Sequence, residues 1–189
     1  MEIPKIQTPL DDDVVRALEA GRRVLLSGVI YTARDAAHRR LVEMLEQGRP
    51  LPFDMRGQII YYTGPTPPRN GMPAGSAGPT TSGRMDKYAP VLMDSAGLKG
   101  MIGKGERDQG VIDAIRRNLC VYFAAAGGAG ALIAKCIVKS EIVCFGDLGP
   151  EAVRRMEVRD MPLVVAIDCM GGNLYVSGPA RYRKGGVQT

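Results

Sequence analysis

The chain has 189 residues, which is enough for one domain with a full hydrophobic core or for two very small ones. Its composition, 45% apolar and 24% charged with no Trp, is that of an ordinary globular protein with an aliphatic core. The net charge of +5 is scattered along the chain without interleaved aromatic residues, which argues against nucleic acid as a partner.

Two further features indicate a protein of the cytoplasm. No signal-peptide pattern opens the chain, and no apolar run approaches the about 20 residues of a membrane span, so no membrane partner is predicted. The four cysteines form no C-x-x-C pair, and each lies in or beside an apolar run. We therefore expect buried, reduced thiols, and no metal or iron–sulfur site on this chain, at Cys120, Cys136, Cys144 and Cys169.

The apolar pattern of the first third predicts alternating strands and helices. In chain order, the predicted elements are a short strand or arm within residues 1–10, a helix that follows Asp13 and ends at Gly21, a strand over 23–30, a helix that Gly48 and Pro50 close, and a strand over 57–63. A long loop rich in Gly and Pro follows over residues 64–78, and a loop of this length is usually functional or disordered.

The remainder continues the alternation and ends in a hairpin. In order, the predicted elements are a short helix toward Pro90, a brief strand ending at Lys104, a helix over 111–118, a strand over 119–124, a helix over 127–135, a strand over 136–145, a short helix from 149, a strand over 161–168 and a hairpin turn at 171–173 leading into 174–176. We expect one α/β domain with a mixed sheet over residues 1–177, followed by a loose basic tail over 178–189.

The second predicted helix carries a cation at an unusual place. Asp35 follows Thr32 by three residues, which is a capping-box pattern. Arg34 then lies in the first turn, where a positive charge opposes the helix dipole, so another purpose is expected for it. His38, the single His, follows Arg34 by one helical turn, and a supporting role for Arg34 or Asp35 is predicted for it.

Residues 75–86, GSAGPTTSGRMD, have the composition of an anion-binding loop. Gly, Ser and Pro turn the chain tightly and leave backbone amides free, and a short helix can begin at Thr80 or Thr81. Arg84 follows by three to four residues, so its guanidinium can share a face with these hydroxyls. Arg34, Arg84 and Lys104 together would suit a small molecule with two carboxylates or a phosphate. The loop lacks the Gly-Lys-Ser/Thr ending of a nucleotide-triphosphate site.

Six segments together resemble the β subunit of the iron–sulfur (class I) fumarate hydratases and the C-terminal domain of their single-chain versions. The segments are YTARDAAHRRL, IIYYTGPTPP, GSAGPTTSGRMDKYAP, MIGKG, VYFAAAGGAGALIAK and DLGPEAV. The resemblance covers residues 8–175. It implies a three-layer β/β/α swivelling domain and the reversible hydration of fumarate to (S)-malate. It also implies a 4Fe-4S cluster bound by a partner α subunit and not by this chain, with an α2β2 heterotetramer expected.

The same resemblance implies roles for individual residues. Arg34 and Arg84 correspond to ligands of the substrate carboxylates, and Thr80 and Lys104 to further substrate contacts. Thr81 corresponds to the proposed catalytic base. Two alternatives stay open: the β subunit of L-tartrate dehydratase, which has the same layout, and an anion-binding module without catalysis.

Overall fold

The computed structural model describes residues 2–68 and 71–182 of the chain. Strands and helices alternate through this part, with 3-10 helices at Ser82–Met85 and Gly146–Glu151. The elements are β1 (Lys5–Gln7), α1 (Asp12–Arg16), β2 (Arg23–Thr32), α2 (Asp35–Glu46), β3 (Ile59–Tyr61), α3 (Ala89–Ala96), β4 (Gly100–Gly103), α4 (Gln109–Arg117), β5 (Val121–Ala124), α5 (Gly130–Ala134), β6 (Ile137–Cys144), β7 (Val153–Ile167) and α6 (Leu174–Tyr182).

The strands form one mixed sheet in the order β1-β2-β3-β4-β5-β7-β6. The strands from β1 to β5 run parallel to their neighbours, whereas β7 is antiparallel to β2, β5 and β6. Because β7 pairs with both β2 and β5, the strands β2, β3, β4, β5 and β7 close into a ring. The predicted α/β fold with a mixed sheet is confirmed.

Residues 59–62, which comprise β3 and the residue after it, point alternately into two separate hydrophobic cores. Ile59 and Tyr61 belong to a cluster enclosed between β3–β5 and the strands β2 and β7, whereas Ile60 and Tyr62 join a cluster beneath α2, α3 and α4. Strands buried on both faces read as continuous apolar runs, which explains the sequence IIYY. Two strand layers and one helix layer give the three-layer β/β/α arrangement.

The predicted turn at residues 171–173 is present, since Ile167 and Asn173 form an isolated antiparallel bridge, but the strand predicted over 174–176 is wrong, because Asn173 caps a helix. Its side-chain oxygen accepts a hydrogen bond from the Tyr175 amide at 3.0 Å, which starts α6. The carboxylate of Asp168 accepts hydrogen bonds from the amides of Met170 and Gly172 and holds the preceding turn. Since α6 continues to Tyr182, residues 178–182 of the predicted loose tail are helical. Residues 183–189 lie outside the described part, and the domain boundary stays a prediction.

Smaller differences concern element lengths. The helix α1 ends at Arg16 and does not reach Gly21, and α5 covers five residues of the predicted helix over 127–135. The strand β7 begins at Val153, eight residues before the predicted start, because pairing with β2 and β6 supports a segment with charged residues on its exposed face. No helix in residues 2–68 and 71–182 is long and apolar enough to cross a membrane.

Candidate active site

The residues singled out from the sequence lie where the parallel strands β2, β3 and β4 end. Arg34 and Asp35 follow β2, Lys104 directly follows β4, and the loop after β3 carries Thr80 and Thr81 to the same edge. Ligands of parallel α/β sheets commonly bind at the carboxyl ends of the strands, where the loops meet. The structure therefore brings together side chains that are separated by up to 70 residues in the sequence.

Thr81 and Lys104 are joined directly through their backbones. They form an isolated parallel bridge, and the amide of Ser82 donates a hydrogen bond to the Lys104 carbonyl oxygen at 2.9 Å. Thr81 precedes the 3-10 helix Ser82–Met85, but its hydroxyl makes no capping hydrogen bond, so it is free to meet a ligand. Both side chains are exposed, and the Lys104 chain passes beside Gly127 of the loop after β5.

A buried hydrogen-bond network lies under this bridge. The Tyr122 hydroxyl donates to the Gly105 carbonyl oxygen at 2.9 Å and lies 2.8 Å from the Ser82 hydroxyl, whose oxygen accepts from the Lys104 amide at 3.1 Å. A Cβ atom at Gly103 would lie 1.9 Å from the Ser82 hydroxyl oxygen, so this position requires glycine. The network fixes the backbone that presents Thr81 and Lys104.

Thr80 differs from its neighbour Thr81. Its amide and its hydroxyl both donate to the Tyr62 carbonyl oxygen, at 2.8 and 3.0 Å, so the hydroxyl is used in holding the loop. Its oxygen can still accept one hydrogen bond from a ligand. Earlier in the loop, the Thr66 amide donates to the Ser76 carbonyl oxygen and the Thr66 carbonyl oxygen accepts from the Gly75 amide. These two hydrogen bonds close the base of the long loop. The described part of this loop is therefore anchored at the edge of the sheet.

Arg34 is held by an acidic residue that sequence analysis missed. Its Nη2 atom lies 3.2 Å from Oε1 of Glu151, while Oε2 of the same carboxylate accepts from the Ala36 amide at 3.1 Å. Arg34 is the N-cap residue of α2 without a side-chain cap, and the Thr32 hydroxyl bonds to the Ala152 carbonyl oxygen instead. The predicted capping box is therefore wrong, because Glu151 caps this helix from 115 residues away.

Arg84 makes a looser contact with the start of the same helix. Its Nη1 atom lies 3.4 Å from Oδ2 of Asp35, and the two side chains are 46% and 35% exposed. Exposed ion pairs of this kind contribute about 1 kcal/mol or less. The pair links the 3-10 helix Ser82–Met85 to α2, and it brings Arg84 close to the residue that follows Arg34.

His38 lies inside the protein, below the edge that carries the candidate residues. Its ring is fully buried, its Nδ1 atom donates to the Arg34 carbonyl oxygen at 2.9 Å, and its ring packs edge-on against Tyr62. Burial lowers the pKa of His38 to about 4, so the ring is neutral at physiological pH. His38 thus contacts the backbone of Arg34, and its supporting role stays a prediction.

A buried charge close to His38, the guanidinium of Arg107, had no distinguishing sequence signal. Its Nε donates to Oδ1 of Asp86 at 2.6 Å, while Oδ2 accepts from the Asp108 amide at 2.7 Å. The guanidinium also lies over the rings of Tyr62 and Tyr122, about 5 Å from each centroid. The sequence GERD reads as a solvated loop, and the only clue is that Asp86 ends the GSAGPTTSGRMD segment.

The described residues offer no ligand set for a metal ion or an iron–sulfur cluster. No group of three or more His, Cys, Asp or Glu side chains in residues 2–68 and 71–182 could hold a metal. Cys120 and Cys169 are buried, as predicted, and Cys136 and Cys144 are partly buried. Burial raises the pKa of all four thiols, which disfavours the thiolate form that binds metals.

Comparison with known proteins gives matches over most of the chain. The family model described as "Fumarase C-terminus" matches residues 3–178. Fumarate hydratase 2 of Leishmania major is 40% identical over 157 residues, which are 82% of this chain and 28% of that protein. The anaerobic class I fumarate hydratase of Escherichia coli K12 is 38% identical over 154 residues, 81% of this chain and 28% of that protein. The chain thus spans less than a third of these relatives.

Another relative matches over most of its own length. A Methanocaldococcus jannaschii protein named "Putative L(+)-tartrate dehydratase subunit beta" is 39% identical over 166 residues, which are 85% of this chain and 85% of that protein. The motif resemblance seen in the sequence is therefore confirmed by similarity over most of the chain. With the family model covering nearly every described residue and relatives close to 40% identity, the chain belongs to the Fumarase C-terminus family.

Proposed function

We propose that this chain is the β subunit of a two-subunit iron–sulfur fumarate hydratase. The observation that carries the proposal is the exposed pair Thr81 and Lys104, joined by a backbone bridge, at the edge of the sheet that also holds Arg34 and Arg84. Three cations around one unbonded hydroxyl suit a small dicarboxylate substrate. The names of the Leishmania and Escherichia coli relatives point to fumarate as that substrate, and hydration of fumarate gives malate.

The residues of this chain would bind the substrate and move one proton. Arg34, Arg84 and Lys104 hold the two carboxylates of malate and stabilise the negative charge that builds up beside C3. Thr81 removes the proton from C3 in dehydration and returns it in hydration, while the C2 hydroxyl takes a proton from an acid of the expected α subunit and leaves as water. A threonine hydroxyl is a poor base in water, and the neighbouring cations lower the free energy of its alkoxide.

A second chain would complete the site. The two fumarate hydratase relatives are more than three times as long as their match to this chain, whereas the Methanocaldococcus jannaschii relative is matched over 85% of its length and is named a beta subunit. We expect an α subunit that carries the 4Fe-4S cluster on its own cysteines, since the described residues of this chain do not fit that group. The assembly is expected to be α2β2.

The test is anaerobic co-expression with the α subunit, followed by a fumarate hydration assay with Thr81→Ala. A positioned general base contributes about 100- to 10,000-fold to rate, so the variant should lose turnover by that factor. The assembled complex should stay intact, because Thr81 is exposed and its hydroxyl makes no capping bond. Thr81→Ser is the matched control, since it keeps the hydroxyl and should retain most of the activity. Wild-type turnover in Thr81→Ala would refute the assignment.

The runner-up is the β subunit of L-tartrate dehydratase, favoured by the match to the Methanocaldococcus jannaschii relative over 85% of both chains. Turnover of malate and of tartrate by the same wild-type complex separates the two. If the complex binds dicarboxylates but converts neither, the chain is an anion-binding module without catalysis.

A further inference from the structure

We infer that Glu151 is a positioning residue that orients Arg34 toward the substrate carboxylate; this inference rests on the function proposed above. Glu151 would not touch the substrate. It would fix the direction in which the Arg34 guanidinium presents its remaining N–H groups. Its role is thus distinct from those of Thr81 and Lys104, whose side chains face the solvent directly.

The contacts of Glu151 divide between the arginine and the helix. One carboxylate oxygen lies 3.2 Å from Nη2 of Arg34, and the other accepts from the Ala36 amide at 3.1 Å. The Arg34 and Glu151 side chains are 23% and 25% exposed, so the pair is partly shielded from water. Because the helix amide holds one carboxylate oxygen in place, the other oxygen stays within ion-pair distance of Arg34.

The segment that carries Glu151 is itself fastened to α2 and to the end of β3. Asp147 receives two hydrogen bonds from Arg40, at 2.9 and 2.6 Å. Gly149 has a φ of 58° and a ψ of −117°, which breaks the helical path of residues 146–151. A Cβ atom at Gly64 would lie 2.9 Å from the Pro150 carbonyl oxygen and 3.2 Å from Nη1 of Arg34. The segment therefore packs tightly where Arg34 lies.

The two arginines of the site are held differently. Asp35 contacts Arg84 once, at 3.4 Å, in a pair that is more exposed than the one with Glu151. A substrate carboxylate can replace Asp35 at Arg84, since little free energy is lost when a surface ion pair separates. Glu151 stays bound to the Ala36 amide and keeps Nη2 of Arg34 occupied. Arg34 then serves as the fixed contact and Arg84 as the one that reorients on binding.

The experiment compares Glu151→Gln and Glu151→Ala in the co-expressed complex. Loss of an oriented contact that substrate and transition state share should raise KM about tenfold in Glu151→Ala while kcat stays within about twofold. Glu151→Gln keeps one acceptor oxygen and should raise KM about threefold.

Asp147→Asn is the matched control, because it loosens the same segment at Arg40 but keeps both oxygens of Glu151. Its KM should be unchanged. An equal rise in Asp147→Asn would assign the effect to the segment and overturn the role of Glu151.

A double-mutant cycle tests whether Glu151 acts through Arg34. In an Arg34→Ala background, Glu151→Gln should add no further change in KM, whereas additive effects would overturn the inference. Malate affinity is measured by calorimetry on the same samples. If the wild-type complex binds malate without turnover, the proposed function is refuted. The role of Glu151 is then tested by comparing the malate affinities of wild type and the Glu151 variants. A wild-type complex that neither binds nor reacts overturns both.

Discussion

The edge of the sheet has an exposed rim, formed by Thr81, Arg84 and Lys104, and a buried floor, formed by Ser82, Asp86, Arg107 and Tyr122. Four of these residues lie within a single stretch of six, 81–86, in which Thr81 and Arg84 are exposed and Ser82 and Asp86 are buried. The rim has one weak ion pair, whereas the floor is bonded through carboxylate, guanidinium and hydroxyl groups. Substitutions on the rim should therefore change substrate handling, and substitutions in the floor should change stability.

The largest expected effect comes from breaking the ion pair of the floor with Asp86→Ala. This change leaves the fully buried Arg107 guanidinium without its counterion, which costs about 3–5 kcal/mol of unfolding free energy. The matched control is Asp94→Ala, which removes a carboxylate bonded to Arg117 at the surface and should cost about 1 kcal/mol or less. Urea denaturation of the assembled protein, followed by circular dichroism, measures both. Equal losses would show that burial does not distinguish the two pairs.

The next effect is a pH dependence of stability that arises at His38, which is buried beside the floor, and not at the rim. Desolvation depresses the pKa of His38 to about 4 in the folded protein, below its usual value near 6.5. Only the unfolded chain gains this proton as the pH falls through that interval, so stability is complete above pH 6.5 and decreases toward pH 4. The loss is on the order of 3 kcal/mol, since one pKa unit corresponds to about 1.4 kcal/mol.

The contribution of His38 is isolated by comparing unfolding free energies of wild type and His38→Asn between pH 7 and pH 4.5. The variant has no group to titrate at this position, so its stability should fall less steeply with decreasing pH. Parallel curves for the two proteins would show that His38 is accessible to protons in the folded state.

A smaller change, Tyr122→Phe, tests how far the floor supports the rim. It removes the hydroxyl that joins Ser82 to Gly105 and leaves their polar groups unpaired, which costs about 1–3 kcal/mol. The shift of the Thr81–Lys104 bridge should also raise KM. Tyr31→Phe, at a ring stacked on Phe53 away from this network, is the control and should change neither. Lower stability with an unchanged KM would separate the floor from the substrate site.

The sequence predicts the rim better than the floor, for a physical reason. Thr81 and Arg84 can be singled out from the sequence because neighbouring residues alone determine the tight turns of a glycine-rich loop. The structure adds only which side chains lie around them. Glu151 and Arg107 depend on contacts with residues 115 and 21 positions away, which no local pattern encodes. The wrong strand after Asn173 has a similar origin, because Gly-Gly-Asn suits both a hairpin turn and a helix cap, and the helix is supported by a hydrogen bond from the Gly105 amide, 70 residues away, to the Tyr175 hydroxyl.

The smallest expected effect is that of Arg84→Lys on the rim. Lysine keeps the charge but loses the planar pair of N–H donors, so KM should rise about fivefold, equivalent to about 1 kcal/mol. Unfolding free energy should be unchanged, since the contact of Arg84 with Asp35 is long and exposed. Arg117→Lys, which is similarly exposed and also paired with a carboxylate, is the control and should leave KM unaltered. A loss of stability in Arg84→Lys without a rise in KM would place Arg84 with the floor and not with the rim.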